Sequence, residues 1–358
     1  MTTDTARSQA AYRVPALIKR NTALFALSQT FTGAGMQFAY GFGPLMVMQI
    51  TGSAALAGLT IAMLSFSRFI VAYPIGRITD AFGRKPGIML GLAMALAGAL
   101  MNGIAMSHHS FAALFAGMLV FAMGMNAAQQ LRVAATDMYP PHRRAEALGY
   151  VALGSLFGLV VAPMMVGLSE RLAPLTSLDA LALPWLMVPL LVLPGMALIS
   201  LVRPDPKEIG MNLHKYYPGH APQRAPGTAA PFDARDLMRN RTTLLAIVSN
   251  SAAHGNMTIV MVLTSLVLSH HGHSLSAIAF SHMFHSMGMF AFTVPLGRLA
   301  DRFGNEKVMY PGVAVALTGA ALVAVATGFW TVTLGTFLVG IGWAAANVAA
   351  TASIAECY

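Results

Sequence analysis

The chain has 358 residues, of which 56% are hydrophobic and only 10% charged, and its mean hydropathy is +0.64. A soluble domain carries about 25% charged residues, so a globule covered by a charged, water-facing surface is excluded. The net charge of +9 comes from basic residues in short loops between apolar runs, which points to membrane topology and away from nucleic acid as a partner.

Residues Met1 to Asn21 are polar and basic, and the long apolar run behind them ends without an A-x-A cleavage signal. That run reads as a retained helix and not as a signal peptide. Ten apolar segments follow in order: Ala23–Ile50, Ala54–Tyr73, Pro86–Ala105, Phe111–Ala135, Ala147–Leu168, Leu181–Val202, Leu244–Leu268, Leu275–Val294, Val308–Ala326 and Trp330–Ala355. Most reach the ~20 residues that cross a hydrocarbon core. A polar stretch rich in Pro, Arg and Gly separates the sixth from the seventh. The expected organisation is a six-helix bundle over 1–202, a cytoplasmic linker over 203–241 and a second bundle of four helices over 242–358.

Lys and Arg alternate from loop to loop. One set of loops holds Lys19 and Arg20, then Arg77, Arg84 and Lys85, then Arg143 and Arg144, then the basic linker, then Arg298, Arg302 and Lys307. The other set is nearly bare, with Arg171 as the exception. The positive-inside rule then puts the N-terminus and the linker in the cytoplasm, with the chain spanning a plasma (inner) membrane many times. The single cysteine, Cys357, leaves no intramolecular disulfide and no Cys-based metal site.

The second segment is followed by Gly76-Arg77-Ile78-Thr79-Asp80-Ala81-Phe82-Gly83-Arg84-Lys85, and the eighth by Gly297-Arg298-Leu299-Ala300-Asp301-Arg302-Phe303-Gly304-Asn305-Glu306-Lys307. A second echo pairs Val133–Thr136 in segment four with Val348–Thr351 in segment ten. Both loops lie on the basic side, so the halves form a parallel repeat, which places a site between them near mid-membrane.

These loops resemble the G-x-L-A-D-R-x-G-R-K pattern of the major facilitator superfamily. The first copy departs from it at Ile78, Thr79 and Ala81; the second lacks the final basic pair. The resemblance implies an all-α polytopic fold of two pseudo-symmetric bundles, with ten of an expected twelve helices present. It also implies transport of a small-molecule solute by rocking the bundles, with lipid around them. Asp80 is expected to latch the cytoplasmic side, with Arg77, Arg84, Lys85, Asp301 and Arg302 around the two turns. On this reading the chain stops where Asp137–Tyr139 lies in the first half, and a basic loop and two further helices are expected to continue it.

Polar residues inside membrane segments are costly and default to function. Arg68 is placed about two turns from the cytoplasmic end of segment two, and Arg132 with Asp137 near that end of segment four. Arg68, Arg132 and Asp137 are expected to form a charge network reaching Asp80. Gln29, Gly33 and Gln37 share one face of segment one; Asn126, Gln129 and Gln130 cluster on segment four; Asn250 and His254 lie on segment seven; Trp343 and Asn347 lie on segment ten. The resemblance makes these the helices that line the cavity. Gly149, Gly158, Pro163 and Gly167 on segment five resemble the family's antiporter motif, which favours export. No Asp or Glu lies deep in a segment, so His254, with His285, is the expected carrier of a coupled proton from the proton gradient.

Two other classes of function compete. A histidine-metal membrane enzyme would use His282 and His285 or His270–His273, but those clusters sit at different depths and lack carboxylates. A transporter-like sensor or an inactive fragment would bind a ligand without moving it. No G-x-x-x-x-G-K-[ST] motif is present, so no ATP-driven step and no cofactor is expected.

Overall fold

A computed structural model of the chain describes residues 14–140, 143–217 and 241–357. Among the described residues every regular element is helical. Ten long helices succeed one another: α1 Ala16–Thr51, α2 Leu59–Phe82, α3 Arg84–Ser107, α4 Phe111–Ala128 continued by Gln130–Asp137, and α5 Arg144–Leu172. Next come α6 Pro189–Ser200, α7 Arg241–His270, α8 Leu275–Ala291 continued by Thr293–Phe303, α9 Asn305–Val325 and α10 Phe329–Cys357.

Nine helical stretches among the described residues, α2 to α10, are long and apolar enough to cross a membrane. The first helix has the length, at 36 residues, but is diluted by polar side chains. It can carry them because it is packed on several sides: Thr22, Ser28, Gln29 and Thr32 are all buried. A helix enclosed by protein needs no continuous apolar face toward lipid.

Two pairs of helices repeat the same contact in the two halves. Along α3 and α4, a Cβ on Gly91 would lie 2.7 Å from the Ala128 nitrogen. Along α9 and α10, a Cβ on Gly335 would lie 2.8 Å from the Gly319 carbonyl oxygen. Small residues let the backbones touch, which is the main source of helix association inside a bilayer. The halves meet through α1, α5, α7 and α8. Gly41 of α1 sits against the His282 ring, where a Cβ would be 3.2 Å away, and Gly167 of α5 faces Ser276 at the start of α8.

Segment six is less regular than its hydropathy predicts. Pro184, Pro189 and Pro194 lack a backbone N–H, and the helix forms a short piece, Leu183–Leu186, before α6 begins. The stretch expected to be linker is also not all linker. Pro206–Met211 and Leu213–Tyr216 are short helices. Ile209 and Leu213 are buried, the Tyr217 hydroxyl donates to the Met138 carbonyl at 3.2 Å, and Asn21 donates to the Arg203 carbonyl at 3.2 Å. Burial pushes the Tyr217 phenol above its ordinary range, so it stays protonated and can donate. Residues 218–240 of the expected linker lie outside the described residues.

Candidate functional site

A cavity of about 200 Å³ lies between the halves and is walled by both. From α1 come Gln29, Gly33, Met36, Gln37 and Tyr40, which the helical repeat places on one stripe. The remaining helices of the first half supply Arg68 of α2, Gln129 and Arg132 of α4, and Ser155 and Leu159 of α5. The second half supplies His254, Met257 and Met261 of α7, His285, Ser286, Met289 and Phe290 of α8, and Trp343 of α10.

Direct ties across the cavity join the halves. The Gln37 amide donates to the Ser286 hydroxyl. The Arg132 guanidinium lies over the Phe290 ring, 5.8 Å from its centroid. Within the second half, His254 packs edge-on to Trp343 with ring centroids 5.1 Å apart. Its Nδ1 lies 2.9 Å from the Asn250 carbonyl; because a carbonyl only accepts, Nδ1 carries the proton.

The two histidines of α8 have different roles. His282 is fully buried, with Nε2 2.8 Å from the Ser265 hydroxyl and Nδ1 3.2 Å from the Met261 sulfur, so both ring nitrogens are engaged with α7. His285 donates Nδ1–H to the Thr336 carbonyl at 2.7 Å, which leaves Nε2 as an acceptor in the neutral ring. That Nε2 is buried at the cavity without a partner, as are the Gln37 Oε1 and the Trp343 Nε1.

Sequence reasoning placed Gln29, Gln37, Gln129, His254 and Trp343 at a cavity, and the structure brings them together. Asn126, Gln130, Asn250 and Asn347 do not line it. Asn126 is a clamp between α4 and α2: it accepts from Arg68 Nε at 3.2 Å and donates to the Ser67 hydroxyl at 3.0 Å. Asn250 offers its backbone carbonyl to His254. Ser155, Met257, Met261, Met289 and Tyr40 were not singled out. Met36 and Tyr40 had a legible signal, since they continue the stripe of Gln29, Gly33 and Gln37 at helical spacing.

The expected network of Arg68, Arg132 and Asp137 does not form. Asp137 pairs with Arg84, with Nε to Oδ2 at 2.7 Å, while Arg132 faces Phe290 and Arg68 holds Asn126. Asp137 is the last residue of its helix, where the loop can reach it; Arg132 lies five residues earlier and faces Phe290. Arg68 lies on α2 fourteen residues before its last residue, Phe82. At 1.5 Å per residue that is about 21 Å from this end.

The turn after α2 is held from outside its own motif. Gly83 takes φ +105° and is buried. The Asp205 carboxylate accepts from the Arg84 and Lys85 backbone N–H groups at 3.0 Å each, capping α3. Lys207 donates to the Asp80 carbonyl, and Lys85 Nζ donates to the Val202 carbonyl at 3.2 Å. The Asp80 side chain is 76% exposed and, among the described residues, forms an ion pair only with Arg84, at 3.5 Å. In the second half Gly304 repeats the turn with φ +95°, and Arg302 lies over Phe303 at 5.2 Å. The side chain of Asp301 lies outside the described residues. Along α5, Gly158 packs on the α1 backbone and Gly167 faces α8, Pro163 lies inside the helix, and a Cβ on Gly149 would meet nothing within 4 Å.

The family model described as Major Facilitator Superfamily matches residues 25–358. The uncharacterized MFS-type transporter YdeG of Bacillus subtilis (strain 168) is 27% identical over 344 residues, covering 95% of this chain and 79% of that protein. The riboflavin transporter RfnT of Brucella anthropi is 24% identical over 346 residues, covering 95% of this chain and 81% of that one. Among solved structures, a D-xylose-proton symporter superposes with a TM-score of 0.66 at 12% identity, covering 95% of this chain and 88% of the other.

Proposed function

The chain belongs to the major facilitator superfamily, and we propose that it is a secondary active transporter that carries a small organic solute through the cavity between its halves. The observation that carries this reading is the wall of the cavity itself. Each half contributes polar side chains to it, so rocking one half against the other exposes the same groups to either face in turn. The basic loops support a cytoplasmic N-terminus, in a chain that spans a plasma (inner) membrane. Residues 1–202 and 242–358 are the two rocking units, joined through the stretch 203–241. The turns at Gly76–Lys85 and Gly297–Gly304 act as latches on the cytoplasmic side.

Coupling to protons runs through histidine. His254 and His285 both line the cavity, and no carboxylate among the described residues does. Gly158 of α5, packed on α1, and Gly167, facing α8, support export by antiport. The relative named as a riboflavin transporter makes flavins a first group of solutes to screen.

The test is flux in proteoliposomes holding the purified protein, screened with drugs, vitamins including riboflavin, and amino acids under imposed pH gradients. Movement of one solute class that collapses when the gradient is removed supports the reading. Saturable binding without movement of any solute would turn it into that of a sensor. If His254→Gln and His285→Gln both keep the wild-type pH dependence, neither histidine carries the coupled proton.

A further inference from the structure

The charge of the cavity wall is one-sided. Arg68 and Arg132 both line it, and among the described residues no Asp or Glu does. Neither arginine is in an ion pair among the described residues. Arg68 spends its Nε on the neutral Asn126 amide, and Arg132 rests on the Phe290 ring. An arginine inside a membrane segment normally has a carboxylate or a set of carbonyls to hold it. Two arginines facing one cavity leave fork-shaped N–H donors aimed at whatever enters, and that geometry matches a carboxylate.

The rest of the wall narrows the class. The Gln37 Oε1 and the His285 Nε2 are buried acceptors without donors, and the Trp343 Nε1 is a buried donor without an acceptor. Groups in that state are normally satisfied when the site is filled. Two orphan acceptors call for a hydroxyl or N–H on the body of the ligand. The volume of about 200 Å³ is below the ~300–1,000 Å³ of drug-sized pockets, which suits a single ring.

We propose that this cavity is a site for a small organic anion, a carboxylate on a one-ring body that also bears a hydrogen-bond donor, with Arg132 pairing the carboxylate and Arg68 supplying the second positive charge. The proposal names the solute class for the transporter reading above and rests on it for the cavity's role.

The probes are 4-hydroxybenzoate, its neutral isostere 4-hydroxybenzamide and the cation tyramine. Binding is measured by equilibrium dialysis on the full chain in nanodiscs of phosphatidylcholine, a lipid without net charge. The anion is expected to bind at least about tenfold more tightly than the amide, with tyramine weakest, since losing one partner of a desolvated charge pair costs tenfold or more. Arg132→Gln should remove that preference, Arg132→Lys should keep part of it, and Arg68→Gln should weaken the anion by about threefold, as expected of a more distant charge. A monodisperse elution profile and a wild-type unfolding midpoint check that each variant folds. Equal binding of the three probes, no saturable binding of the anion, or unchanged anion affinity in a folded Arg132→Gln would each overturn the proposal. Flux of 4-hydroxybenzoate is followed on the same preparation. Anion binding without flux of any solute leaves the anion site standing and removes the transporter reading. Flux of a neutral solute with no anion preference keeps the transporter and removes the anion site.

Discussion

The two turns that repeat between the halves share a backbone and differ in everything around it. Gly83 has φ +105° and ψ 167°, and Gly304 has φ +95° and ψ 149°. Both lie in a region that only glycine occupies without strain. Yet Gly83 is buried under Asp205, whereas Gly304 is exposed and a Cβ there would meet nothing within 4 Å. A repeat in sequence therefore specifies the local turn, while the grip on that turn is decided by a segment outside the repeat.

The sharpest way to break this comparison is to add a Cβ at each turn. Gly304→Ala carries backbone strain alone, about 1–3 kcal/mol. Gly83→Ala carries the same strain and also drives a Cβ to 2.6 Å from the Asp205 carboxylate oxygen, so the cap of α3 must move. Its expected cost is larger, about 2–4 kcal/mol once a lost cap of ~1 kcal/mol is added. Unfolding in detergent micelles reads both. Equal losses at the two sites would show that Asp205 gives way without resisting.

Next in size is Asp205 itself. Its carboxylate accepts from Arg84 N, Lys85 N and Lys207 N at 2.9–3.0 Å. Asp205→Ala is expected to cost about 1–2 kcal/mol, the range of a lost helix cap. Asp205→Asn keeps one acceptor oxygen but turns an NH2 toward a backbone N–H and loses the charge at the helix terminus, so it should recover only part of that loss. An alanine variant as stable as wild type would mean that water replaces the carboxylate fully.

How much of this was legible in the sequence differs between the two levels. The ten helices follow from long apolar runs, which bilayer thickness makes nearly unavoidable, and α1 was found although polar side chains dilute it. The stripe Gln29–Gly33–Gln37 led to the cavity because helical periodicity is a local rule. Asp205 was not legible: it lies more than a hundred residues from the turn it caps, in a stretch whose composition reads as linker. Arg132 was misplaced for a related reason. Spacing shows that Arg132 and Asp137 are near neighbours along the chain, but one turn of depth decides that one meets Arg84 and the other meets Phe290. Asn126 likewise has the chemistry of a cavity amide, and only packing shows that it faces α2.

A smaller effect is expected where the first turn meets α4. Arg84 and Asp137 are both only about one-fifth exposed and 2.7 Å apart. A double-mutant cycle with Arg84→Gln and Asp137→Asn should return a coupling of about 1 kcal/mol, at the upper end for accessible ion pairs. Arg84 also donates to the Thr79 hydroxyl at 3.2 Å. Its single substitution should therefore cost more than that of Asp137.

The smallest effect on stability is expected at Asp80, the acid of the first turn. Asp80 exposes 76% of its side chain, and its one ion pair among the described residues, with Arg84 at 3.5 Å, is solvent-screened and competes with Asp137 for the same guanidinium. Lys207 uses the Asp80 backbone carbonyl, which Asp80→Asn leaves in place. The substitution should therefore shift unfolding by less than about 0.5 kcal/mol, as for an ordinary surface position. Transport is a separate matter. An acid that folding does not use, standing beside Arg84 in the turn after α2, is free to serve the latch proposed above. Asp80→Asn is then expected to insert and fold normally while flux falls strongly. Wild-type flux in a normally folded variant would remove Asp80 from the latch, and a large loss of stability would mean that the turn leans on its side chain after all.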